Sequence, residues 1–157
     1  MRIGSLFSGI GGLELGLEWA GVGHTVWQVE REPYCLAVLA KHWPDVPRFG
    51  DVRTVGKHNL ESVDVLCAGY PCQPFSYAGN QGGRDDPRHL WPEARRVIRE
   101  LGPDYAVLEN VPGHLSLGFG DVLGDLADLG YDAEWGVLSA RGVGAPHLRR
   151  RVFILAY

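Results

Sequence analysis

Two near-continuous apolar runs, VDVLCAGY (residues 63–70) and DYAVLEN (104–110), constrain this chain most. Runs of this length without polar alternation fit strands buried on both faces, which occur in parallel sheets covered by helices. The segments around them keep the same rhythm. IGSLF is a short strand ended by SGIGG, and LELGLEWAG follows with Leu13, Leu17 and Ala20 at helical spacing before Gly21. HTVWQVE reads as a second strand, PYCLAVLAKHW as a helix opened by Pro33, and RFGDV as a brief strand and turn. LWPEARRVIREL places Leu90, Ala94, Val97, Ile98 and Leu101 along one helical side, and GDVLGDLADLG is a shorter helix. YDAEWGVLSA and RRVFILAY close the series as strands joined by RGVGAPHL. Alternation at this pace predicts one α/β domain over residues 1–157, with a doubly wound, mostly parallel sheet and a final antiparallel strand.

In such sheets ligands bind outside the carboxyl ends of the strands, and the unusual residues fall there. FSGIGG (7–12) follows the first strand and opens a helix, so Gly9, Gly11 and Gly12 allow close approach to free backbone amides. The dinucleotide fingerprint is not met, because Glu14 stands where its third glycine belongs. Glu30 ends the second strand, placed to hold a ribose diol, and Asp51 ends the third, within reach of an adenine edge. Gly loop and two acids together point to an adenosine-bearing ligand; a plain tight turn with two exposed carboxylates is the alternative.

Cys72 lies between Pro71 and Gln73, beyond its apolar run, whereas Cys67 lies inside it. A thiolate near neutrality needs positive charge or amides nearby, which arginines of the following loop or of 149–151 would supply. Glu109 ends the neighbouring buried run, where a desolvated carboxyl suits proton or hydrogen-bond donation. A zinc site from Cys67, Cys72 and a histidine lacks a second cysteine pair, and no metal is expected. Cys35 reads as helix core, and Trp43, Trp91 and Trp135 as packing.

Three cysteines without scaffold spacing, no h-region after MRIGS and no run of about 20 apolar residues place the chain in a reducing cytoplasm. The net charge of −4 makes the whole chain a poor polyanion binder. Arginine is nevertheless local: Arg84, Arg88, Arg95, Arg96 and Arg99 form one group, and Arg141, Arg149, Arg150 and Arg151 another. Each is either a solvated face or a nucleic-acid contact.

FSGIGGLELGL, VEREPYC, GDVRTV, DVLCAGYPCQPFS, LENVPG and GAPHLRRRVFILA, in this order, resemble the cytosine-5 DNA methyltransferases from residue 3 to the last. The resemblance implies S-adenosylmethionine as cofactor and a cytosine flipped from DNA as substrate. It implies that Phe7, Gly9, Ile10, Gly11 and Gly12 line the methionine end, that Glu30 takes the ribose hydroxyls, and that Asp51 and Val52 take the adenine. Pro71 and Leu90 would pack around cofactor and base. Cys72 would be the nucleophile, Glu109 would bind the base's ring nitrogen, and Arg149 and Arg151 would support the site. His147 stands where many members carry Gln. The loop 74–89, with Gly79, Gly82 and Gly83 as flexible points and Arg84 and Arg88 for phosphates, would close over the base.

Family members continue past the RRR strand into a recognition region and a closing segment beside the first helix. The expectation is therefore a catalytic domain from a truncated copy, or one half of a split enzyme whose second chain carries recognition and covers an apolar patch. An RNA cytosine methyltransferase or an inactive cofactor-binding relative would share the same motifs.

Overall fold

The two apolar runs become neighbours. The computed structural model describes residues 1–71 and 90–157. In it β4 (Val65–Ala68) lies parallel to β5 (Tyr105–Asn110), with Cys67 opposite Val107. β1 (Arg2–Leu6) flanks β4 on the other side, followed outward by β2 (His24–Val29) and β3 (Arg48–Phe49), all parallel. β7 (Arg150–Ala156) runs antiparallel between β5 and β6 (Ala133–Ser139), giving the order β3-β2-β1-β4-β5-β7-β6. Every strand segment read from the sequence is present. RFGDV supplies only a two-residue strand, and its last residue begins a single 3-10 turn at Val52–Thr54.

Helices cover both faces. α1 (Gly12–Trp19) covers a small apolar cluster of Ile3, Val65 and Cys67, with Leu13, Leu17 and Val22 against it. α2 (Pro33–His42) opens on proline as expected. α3 (Trp91–Leu101) and α4 (Phe119–Asp128) lie on the larger cluster with Leu6, Trp27, Leu66 and Leu108. α3 buries Trp91, Ala94, Val97 and Ile98, and stops at Gly102, whose φ of 57° only glycine takes without cost. Full burial of each larger aliphatic contributes about 1.5–3 kcal/mol.

Four side chains differ from their sequence reading. Ala20 is exposed, and the buried residue of α1 is Glu14. Leu13 and Leu17 keep the expected stripe, and Ala20 leaves it because the helix ends at Trp19. Cys35 is half-buried rather than core. Trp135 is 53% exposed, although its ring meets Phe119 at 5.5 Å. Exposed apolar side chains gather on β6 and β7 (Val137, Leu138, Leu155) and on Tyr157 just beyond, while Trp19 stands out on α1. Among the described residues no helix is long and apolar enough to cross a membrane.

Candidate cofactor and active site

The strand order reverses between β1 and β4, and the crevice at that reversal is where a doubly wound sheet receives ligands. A cavity of about 240 Å³ opens there. Each neighbouring strand end contributes to it: Phe7 after β1, Val29, Glu30 and Arg31 at β2, Gly50 to Arg53 after β3, Gly69 and Pro71 after β4, and Leu90 before α3. Six residues singled out from the sequence therefore share one cavity: Phe7, Glu30, Asp51, Val52, Pro71 and Leu90. Its walls pair apolar side chains with two carboxylates.

The Gly loop is built from Glu30 outward. Glu30 Oε2 accepts the Gly9 amide at 2.7 Å, and Oε1 accepts those of Arg31 and Glu32 at 2.8 Å. Ser8 N donates to the Val29 carbonyl at 3.1 Å, so the loop is sewn to the end of β2. Gly9 and Gly11 have φ of 56° and 88°, and Phe7, which is not glycine, has 55°. A left-handed bulky residue costs about 1–2 kcal/mol and tends to mark a functional bend. Ile10 and Gly12 are exposed and do not line the cavity; Gly11 is buried against Trp43.

Asp51 uses one oxygen locally. Its Oδ1 accepts both the Arg53 amide and Arg53 Nε at 3.0 Å, and these bonds hold its carboxyl below the usual range. The Val52 carbonyl accepts Arg96 Nη2 at 2.9 Å, which fixes the following turn. Arg53 and Arg31 are cavity residues that sequence reasoning did not select. The signal for Arg53 was its spacing of two from Asp51, which a side chain can close back on itself.

The second half of the site lies on β5 and β7. Arg151 Nε meets Glu109 Oε1 at 2.7 Å. A Cβ built on Gly69 would lie 3.3 Å from Glu109 Oε2, so the carboxylate abuts the strand end that forms the cavity wall. The sequence suggests a buried, desolvated carboxyl; it is instead partly exposed and ion-paired with Arg151. Arg149 is exposed at the turn before β7, with φ 29°. Arg95 and Arg96 are engaged in ion pairs with Asp125, Asp128, Glu93 and Glu100, so these two are not free cations.

A buried pair behind Pro71 escaped the sequence reading. Tyr70 Oη lies 2.8 Å from His114 Nε2, and His114 Nδ1 lies 2.8 Å from the Leu117 carbonyl. A carbonyl only accepts, so Nδ1 carries the proton, and in the neutral ring Tyr70 donates to Nε2. Burial pushes the Tyr70 phenol up, consistent with a retained proton. The Tyr70 carbonyl accepts Asn110 Nδ2 at 3.3 Å, so this strand end is held through both backbone and side chain.

Cys72 and the loop 74–89, including Gly79, Gly82, Gly83, Arg84 and Arg88, lie outside the described residues. Among the described residues no cluster of His, Cys, Asp or Glu could hold a metal.

Comparison with known proteins adds to this geometry. The family model described as C-5 cytosine-specific DNA methylase matches residues 1–157. The type II methyltransferase M.NgoMIV of Neisseria gonorrhoeae is 41% identical over 95% of the chain, which spans 49% of that protein. M.HhaI of Haemophilus parahaemolyticus is 33% identical over 100% of the chain and 49% of its own length. The chain thus spans about half the length of these curated relatives. A crystal structure of a putative DNA modification methyltransferase encoded within a prophage (E. coli) matches with a TM-score of 0.82 and 29% identity, over 99% of this chain and 46% of that one. Spodoptera frugiperda DNMT2, at 24% identity, has the same fold with a TM-score of 0.82.

Proposed function

Because the chain belongs to the C-5 cytosine-specific DNA methylase family, we propose that it carries the catalytic part of a methyl transfer from S-adenosylmethionine to carbon 5 of cytosine in DNA. The observation that carries this reading is the shared cavity: Phe7, Glu30, Asp51, Val52, Pro71 and Leu90 line one space that abuts Glu109 at Gly69. The lining fits the cofactor's chemistry. Phe7, Val29, Val52, Pro71 and Leu90 suit a purine and the methylene groups beside the sulfur, Asp51 keeps Oδ2 for an exocyclic amine, and Glu30 suits ribose hydroxyls. S-adenosylmethionine supplies, when bound, a methyl group activated as a sulfonium.

The chain's own residues do the rest. Carbon 5 of cytosine is a poor nucleophile until a thiolate adds to carbon 6, and Cys72 is the thiol for that step. Glu109 holds ring nitrogen 3 by a proton or hydrogen bond, so that the ring accepts the displaced electron pair. Arg151 fixes Glu109 in place, and Arg149 stands at the same edge. After methylation a base removes the carbon 5 proton, the ring double bond re-forms, and the Cys72 sulfur leaves. The target atoms are hidden in a stacked duplex, so the cytosine is flipped out.

Titration calorimetry with S-adenosylhomocysteine and with NAD tests the cofactor, and parallel methyl-transfer assays on duplex DNA and transfer RNA test the substrate. Binding of the homocysteine ligand alone, with transfer to DNA, is expected. NAD binding, or transfer to RNA only, overturns the reading.

A further inference from the structure

Trp43 lies outside the cavity, yet its indole fills the space that any side chain at position 11 would occupy. A Cβ on Gly11 would stand 2.5 Å from Trp43 Cη2, closer than real contacts allow, and 3.1 Å from Leu39 Cδ2. Gly11 is the residue from which α1 begins: its amide donates to the Ser8 carbonyl at 2.9 Å, and its carbonyl accepts the Leu15 amide at 3.0 Å. The indole therefore sits under the far end of the loop whose near end, Gly9, is tied to Glu30.

The ring is held from three directions. Trp43 N donates to the Leu39 carbonyl of α2 at 2.8 Å, and the Trp43 carbonyl accepts Arg48 Nη1 at 2.7 Å. The indole Nε1 donates to both carboxylate oxygens of Glu18 on α1, at 3.1 Å each. Glu18 is in turn fixed by Thr25 on β2, through its amide at 2.9 Å and its hydroxyl at 2.6 Å. Burial works to raise the Glu18 carboxyl, and these hydrogen bonds from Thr25 and Trp43 outweigh it, leaving it below its ordinary value. All three polar groups of Trp43 are thus bonded, each to a different element.

We propose that Trp43, anchored by Glu18, is a positioning residue that braces the Gly11 turn in its ligand-receiving form, so that cofactor binding meets a preorganised loop. The proposal rests on the cofactor reading above. Glycine ranges widely in φ and ψ, so the turn has little stiffness of its own. With the indole gone, the loop must be ordered by the ligand, at a cost taken from affinity.

The test is calorimetry with S-adenosylhomocysteine on the whole chain, with melting temperature recorded for each variant. Trp43→Leu should bind about tenfold more weakly, the scale of ordering one or two freed backbone residues. Trp43→Phe keeps a ring but loses the Glu18 bond, and should fall between it and wild type. Glu18→Leu should weaken binding, while Glu18→Gln, which keeps an acceptor for the indole, recovers most of it. The double variant Trp43→Leu/Glu18→Leu should be no weaker than Trp43→Leu alone, because Glu18 acts through the indole. Affinities equal to wild type in folded variants, whatever their melting temperatures, overturn the brace and leave Trp43 as packing. If Trp43→Leu does not fold, the Trp43→Phe and Glu18 variants decide alone. No binding by wild type overturns the cofactor reading itself, and the brace with it.

Discussion

Arg151 Nε and Glu109 Oε1 stand 2.7 Å apart across β7 and β5. The pair exists because β7 is antiparallel: Glu109 faces Phe153 in register, which places the start of β7 at the carboxyl end of β5. Glu109→Gln keeps the shape and loses the charge and the proton. It should slow methyl transfer about 100-fold or more, with cofactor affinity unchanged. Single-turnover transfer and calorimetry check this; full activity would leave Glu109 only a hydrogen-bonding role.

Glu30→Ala and Asp51→Ala should each weaken S-adenosylhomocysteine binding by about 1.5–3 kcal/mol, the worth of a charged hydrogen bond. Glu30→Ala should be the more damaging, because the same carboxylate holds the Gly9, Arg31 and Glu32 amides. Equal affinity in wild type and both variants would remove these residues from the pocket.

Cys72→Ala should abolish covalent trapping on DNA bearing 5-fluorocytosine, because fluorine blocks the final elimination. Cys67 is fully buried, and burial pushes its thiol far above the usual range; Cys35 is raised as well, by burial and by Glu30 and Glu32. Cys35→Ala and Cys67→Ala should therefore still trap. The readout is a denaturing gel, and a band persisting in Cys72→Ala assigns the nucleophile elsewhere.

Glu14 sits beneath α1 with neither carboxyl oxygen hydrogen-bonded. Burial raises its pKa above 4.5, against smaller opposing effects from the nearby Ser5 and Ser8 hydroxyls, neither of which completes a bond. The folded state thus holds this proton more tightly than the unfolded chain. Stability should be greatest below the ordinary carboxyl pKa and fall as pH rises toward the folded value, by up to about 1.4 kcal/mol per unit. Glu14→Gln cannot ionise, so its melting temperature should gain on wild type between mildly acidic and neutral pH. Parallel curves for the two proteins would mean that Glu14 is not the group responsible.

The strands and the placement of Glu30, Asp51 and Glu109 were legible because each follows an apolar run, and a parallel sheet gathers such ends on one side. Arg53 and the Tyr70–His114 pair were not, because they depend on side-chain reach and on contacts 44 residues apart. Glu14 stands in the sequence where the dinucleotide fingerprint breaks, and that position carries no sign of its burial. Helical spacing gives a stripe, but which residue of the first turn meets the sheet depends on how the helix docks. Trp43 looked like ordinary packing because no local pattern reveals that its neighbour is Gly11.

Phe7 and Arg149 are the non-glycine residues with positive φ among those described, at 55° and 29°, and both stand at the proposed site. Glycine at Arg149, which is exposed, would relax the backbone and delete only a guanidinium, whereas at Phe7 it would also strip a ring packed against the core. A laboratory selection for heat resistance alone would therefore be drawn toward the codon of Arg149, and its winners would be sturdier proteins with poorer chemistry.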